Sequence, residues 1–103
     1  MDLYTRLEAA QALCYKAAEA YNEDVYEKNG TPSMETGKLV SMVKLLAGDV
    51  VTDIVDTCMQ FHGGMGYLEE LWVARTYRDQ RLLRIGGGTS EVMKYMIAKA
   101  MGW

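Results

Sequence analysis

At 103 residues and 11.6 kDa the chain is long enough to close one hydrophobic core and too short for two, so a single domain over residues 1–103 is expected. Half the residues are apolar, 24% are charged and Pro32 is the only proline, a balance that excludes a disordered tail. A net charge of -3 gives no attraction to phosphate backbones or anionic lipid, which sets aside nucleic-acid and membrane-surface roles.

No apolar run approaches the ~20 residues of a bilayer-spanning helix, and residues 1–15 lack the basic start and apolar core of a secretory leader. The cytoplasm is the expected compartment.

Leu3, Leu7, Ala10, Cys14, Ala17, Tyr21 and Val25 recur in steps of three and four, which predicts a first helix from Asp2 to Lys28. Asn29-Gly30 supplies the left-handed residue that ends it. Thr31-Pro32 reads as a start signal, and a second helix is expected from Pro32 to Phe61. Its polar positions Lys38, Ser41, Lys44, Asp49, Thr52, Asp56 and Gln60 form one narrow stripe, so the helix should sit centrally in a bundle.

Gly63-Gly64-Met65-Gly66 breaks that helix. A shorter, more polar helical segment is expected from Leu68 to Leu83. Gly86-Gly87-Gly88 then forms a loop feeding a last helix that runs to Met101, with Glu91 placed to complement the positive end of its dipole. The fold class is all-α, an up-and-down helical bundle.

Taken singly, the chemistry-bearing residues are weak signals. The Gly86–Thr89 loop leads into a helix N-terminus, which suits a polar or anionic cofactor atom but also an ordinary turn. His62 borders a glycine turn and is of the residue type that serves as a general base, yet a histidine bonded to backbone at a helix end is the favoured reading. Arg75, Arg78, Arg81 and Arg84 stand three apart beside Glu69, Glu70 and Asp79, as on a salt-bridged helix surface. Cys14 and Cys58 are expected as reduced core thiols, and one histidine with two distant cysteines leaves a metal site without ligands. The eight methionines, Trp72 and the tyrosines other than Tyr67 are also expected in the core.

Jointly they say more. Gln60-Phe61-His62-Gly63-Gly64-Met65-Gly66-Tyr67, then Arg78-Asp79, then Ile85-Gly86-Gly87-Gly88-Thr89-Ser90-Glu91-Val92 resembles the C-terminal signature of the acyl-CoA dehydrogenase family. The resemblance implies FAD as cofactor and α,β-dehydrogenation of acyl-CoA thioesters. It further implies that Gln60 and Gly64 touch the adenine end of a neighbouring subunit's FAD, while Thr89 and Glu91 contact the FAD of their own subunit, with Gly63 also among the cofactor-binding residues.

The sequence also departs from the pattern. Many members place a catalytic glutamate in a Tyr-Glu-Gly-Thr loop, and here Gly86-Gly87-Gly88-Thr89 puts Gly87 at the carboxylate position, leaving no catalytic side chain. Isovaleryl-CoA and long-chain dehydrogenases show a similar glycine and draw their base from an earlier helix, which would precede Met1. The resemblance therefore implies a half-site, inactive alone, that works as a homo-oligomer or with a partner chain carrying the remaining domains. The alternative is a non-catalytic helical oligomerisation module derived from the family.

Overall fold

The computed structural model describes all 103 residues and contains helices and turns only. The first helix, α1, spans Asp2–Asn22 and runs without a break into a π-helical turn at Glu23–Glu27. Asn29 then adopts φ 50°, the left-handed conformation expected there.

The second helix, α2, spans Met34–His62 and is capped by Ser33, whose hydroxyl accepts from the Thr36 N–H at 3.1 Å. The Thr31-Pro32 start signal is thus displaced to Ser33. The reason is tertiary. Asp24, at the end of the first helical leg, accepts from the Ser33 amide at 2.8 Å and the Thr36 hydroxyl at 2.6 Å, which fixes where α2 can begin.

Past the glycine break come a single-turn helix α3 (Gly64–Tyr67), α4 (Trp72–Arg81), a 3₁₀ turn (Leu82–Arg84) and α5 (Ser90–Ala100). The segment expected as one helix over residues 68–83 starts four residues late, because residues 68–71 form turns.

Three legs make up the architecture. Arg6 pairs with Asp53 at 2.6 Å while Asp24 meets Ser33, so α1 runs antiparallel to α2. His62 stacks edge-on against Trp72 and Arg84 meets Asp49, so α4 is antiparallel to α2 as well, along its C-terminal half. α5 continues in the same direction along the N-terminal half, from Lys44 at its start to a cleft shared by Gly37, Met34 and Ala100 at its end. The topology is up, down and up, with the third leg broken by the Gly86–Gly88 loop, and α2 touches every other helix.

Val50 of α2 and Val73 of α4 are the largest fully buried side chains. Beside them Gln80 is buried, its amide 3.0 Å from the Thr52 hydroxyl and donating to the Tyr77 carbonyl, so this polar group is not left unpaired. Ala10 and Ala17 face α2, and their small size lets the two helices approach.

Several residues expected in the core lie outside it. Cys14, Leu7 and Tyr21 are exposed although they fall on the apolar stripe of α1, as are Tyr4, Tyr15, Tyr26, Tyr95, Trp72 and several methionines, among them Met34 and Met65. The stripe on α1 is wider than the strip α2 covers. Both cysteines are free thiols. No helix is long and apolar enough to cross a membrane.

Candidate functional site

Two groups of residues stand out, one at the end of α2 and one at the start of α5. Gln60 is exposed in the last turn of α2, and Gly63 ends that helix at φ 60°, ψ -145°, a conformation that side-chain-bearing residues rarely adopt. A Cβ added to Gly63 or Gly64 would meet no atom within 4 Å, so both backbones face open space. Gly66 is different. A Cβ there would come within 2.7 Å of the Met59 carbonyl oxygen and 2.9 Å of the His62 Cβ, which makes Gly66 a packing glycine that lets α3 fold back on α2.

His62 accounts for itself structurally. Its Nδ1 lies 2.7 Å from the Cys58 carbonyl, and its ring stands edge-on to Trp72 with centroids 6.3 Å apart. This is the backbone-bonded histidine of a helix end. Around the same end, Phe61 and Tyr67 are 84% and 82% exposed, leaving an aromatic surface beside the glycine pair.

At the start of α5, the Thr89 hydroxyl accepts from the Val92 N–H at 3.3 Å and so caps the helix. Glu91 sits in the first turn. Bonds from its own backbone amide and from the Thr89 hydroxyl hold its carboxyl below the ordinary glutamate value, so it is an anion at neutral pH. Gly87 and Gly88 adopt φ 67° and 109°, and a Cβ on Gly88 would come within 2.6 Å of Met93 Cε. Under this loop lies a cleft of about 490 Å³ lined by Lys44, Gly48, Asp79, Leu82, Leu83 and Gly87, among others.

Lys44 is the residue that sequence reasoning missed. Read only as one member of the narrow polar stripe of the second helix, it donates from Nζ to the Leu83 carbonyl at 3.0 Å and to the Gly88 carbonyl. These partners are 39 and 44 residues away in the chain, beyond the reach of local periodicity. The arginines also differ from expectation. Arg75 donates to the carbonyls of Glu69 and Glu70 and not to their carboxylates, and Arg84 pairs with Asp49 of α2 at 3.1 Å.

The two groups do not converge. From Lys44, beneath the loop, to Gln60 is sixteen residues of unbroken helix, about 24 Å. One small reacting centre therefore cannot touch both. No cluster of three or more His, Cys, Asp or Glu side chains is assembled anywhere in the fold.

The acyl-CoA dehydrogenase C-terminal domain matches residues 1–102. This chain belongs to that family. Among curated relatives, the caffeyl-CoA reductase-Etf complex subunit CarC of Acetobacterium woodii is 39% identical over 97 residues, covering 94% of this chain and 23% of its own length. The mitochondrial short-chain specific acyl-CoA dehydrogenase of Bos taurus is 36% identical over 97 residues, 94% of this chain and 21% of its own. A solved chain described under the electron transferring flavoprotein of Acidaminococcus fermentans superposes with a TM-score of 0.78 at 28% identity, over 97% of this chain and 24% of that one. The chain thus spans about a quarter of the length of these relatives, and it corresponds to the helical C-terminal part of a flavoprotein family.

Proposed function

We propose that the chain supplies FAD contacts and helical packing to an acyl-CoA dehydrogenase-type enzyme, through two separate contact sets. One set is Gln60, Gly63 and Gly64; the other is Thr89 and Glu91. The observation that carries this reading is the pairing of open glycine backbone at the end of α2 with the capped N-terminus of α5, which lies beside α2 far from that end. Gly63 and Gly64 leave room that a side chain would fill, which is what close approach of a dinucleotide needs, whereas Gly66 and Gly88 are already used by the protein.

The separation of about 24 Å along α2 suits contacts to two different FAD molecules in an oligomer better than two contacts to one ring. Bound FAD supplies the hydride acceptor for acyl-CoA oxidation or, run in reverse, the donor for enoyl-CoA reduction. The residues here bind and orient. Gly87 offers no carboxylate to take a proton, so the base and the walls around the reacting thioester come from other chain segments, as they do in the isovaleryl-CoA and long-chain type.

The partner is another copy of this chain, or a chain carrying the remaining domains, with an electron-transferring flavoprotein as the redox partner, in line with the Etf complex named for the Acetobacterium relative. The test is a flavin-fluorescence titration of the chain with FAD, alone and mixed with a chain carrying the other three-quarters of a relative. Saturable quenching that strengthens on mixing is expected, with acyl-CoA oxidation only in the mixture. Turnover by the chain alone would overturn the assignment of roles.

A further inference from the structure

We propose that Lys44 is a positioning residue: its ammonium sets the conformation of the Gly86–Thr89 loop and thereby aims the Thr89 N–H at the dinucleotide. This rests on the FAD reading above for its purpose, but not for its geometry. The loop joins the 3₁₀ turn to α5 through three consecutive glycines, two of them at positive φ, and a run of that kind has more conformations to lose than any other tripeptide. Something must select one.

Lys44 is the only side chain that bonds to the two ends of this junction, taking the Leu83 carbonyl on one side and the Gly88 carbonyl on the other, with its Cε 3.7 Å from where a Gly87 Cβ would stand. It takes part in none of the chain's four ion pairs, so its charge is spent on those carbonyls. Charge-assisted bonds of this sort are stronger than neutral ones.

The direction follows from peptide geometry. In a planar trans peptide the carbonyl and the next N–H point opposite ways. With no cis bond in the chain, a Gly88 carbonyl aimed inward at Lys44 turns the Thr89 N–H outward, away from α2. That N–H has no acceptor among the backbone bonds outside the helices, so it is an outward-facing donor beside the Thr89 hydroxyl and the first turn of α5. Were the loop free to flip its last peptide, the donor would point into the cleft and be lost to a ligand.

The test compares the full chain with Lys44→Met, which keeps length and loses both donors, and Lys44→Arg, which keeps the charge. ¹⁵N relaxation of Gly86 to Thr89 should give helix-like order parameters in the unsubstituted chain, a fall below about 0.6 in Lys44→Met, and recovery in Lys44→Arg. Circular dichroism should show helix content retained. FAD affinity should weaken about tenfold in Lys44→Met, the worth of one such bond, and return in Lys44→Arg.

An ordered loop in Lys44→Met, or a loosened loop with unchanged FAD affinity, overturns the proposal. Lys44→Gln is read in the same way if the methionine variant does not fold. If the unsubstituted chain takes up no FAD in any mixture, the cofactor reading falls, while the relaxation comparison still decides whether Lys44 shapes the loop.

Discussion

Gly66 and Gly64 stand two residues apart in opposite surroundings. Gly66→Ala forces a methyl group to within 2.7 Å of a backbone oxygen, and overpacking of this kind costs about 1–3 kcal/mol, so its urea midpoint should fall clearly. Gly64→Ala meets nothing within 4 Å, and its stability should match or slightly exceed that of the parent while FAD affinity drops. Equal affinity in Gly64→Ala and parent would remove Gly64 from the contact set. The pair was visible in the sequence only as a glycine-rich break; which glycine serves packing and which faces space needed the coordinates of Met59 and His62.

Asp24 makes a second residue-scale case. The Thr36 hydroxyl, then the Ser33 amide and hydroxyl, hold its carboxyl below the ordinary 3.8. The folded chain thus binds this proton later than the unfolded chain as pH falls. The stabilisation is complete above 3.8 and fades as pH drops through the lowered folded value. Asp24→Asn should be less stable than the parent at neutral pH, with the gap closing below pH 3.8; a gap that stays constant down to acid unfolding would contradict this.

Among the elements, the helices and their breaks were legible because they rest on local chemistry: periodic apolar positions, Asn29 at positive φ, and glycine runs at the two breaks. The cap of α2 was not, since Asp24 reaches across from another leg to choose Ser33. The cap of α5 allows a direct check. Thr89→Ala removes the oxygen that accepts from Val92 and should lower stability by about 1 kcal/mol, while Thr89→Ser keeps it, as measured by denaturant unfolding. In FAD titrations both variants keep the Thr89 amide, so a large loss of affinity in Thr89→Ala beyond its cap cost would point to the hydroxyl as a ligand group. The residues proposed from the family signature lie at the end of α2 and the start of α5, positions the glycine runs already marked in the sequence; Lys44 was not legible there because its partners are distant in the chain.

At the scale of the whole molecule, the radius of gyration is 16.3 Å, where a compact chain of this length would have about 13 Å. The extents of 51 × 24 × 23 Å describe a rod, and only twelve residues are buried. Leu82, Leu83 and Ile85 near the loop, Phe61 and Tyr67 at one end, and the tyrosines of α1 remain on the surface. Apolar surface on this scale favours association. Light scattering after size exclusion should return a multiple of 11.6 kDa, and a monodisperse monomer at micromolar concentration would count against the oligomer. Single-chain periodicity assigned the tyrosines of α1 to a core because it sees apolar spacing and not how much of a face a neighbour covers.

α2 also acts as a phased axle. Each residue added to an α-helix advances it about 1.5 Å and turns it about 100°. One residue inserted between Lys44 and Gln60 would therefore swing the far glycine pair about a quarter-turn around the shaft relative to the near loop. Seven residues at once would nearly restore the phase but lengthen the shaft by about 10 Å, so an assembly that grips both ends holds this stretch to its present length, and length here is a harder constraint than composition.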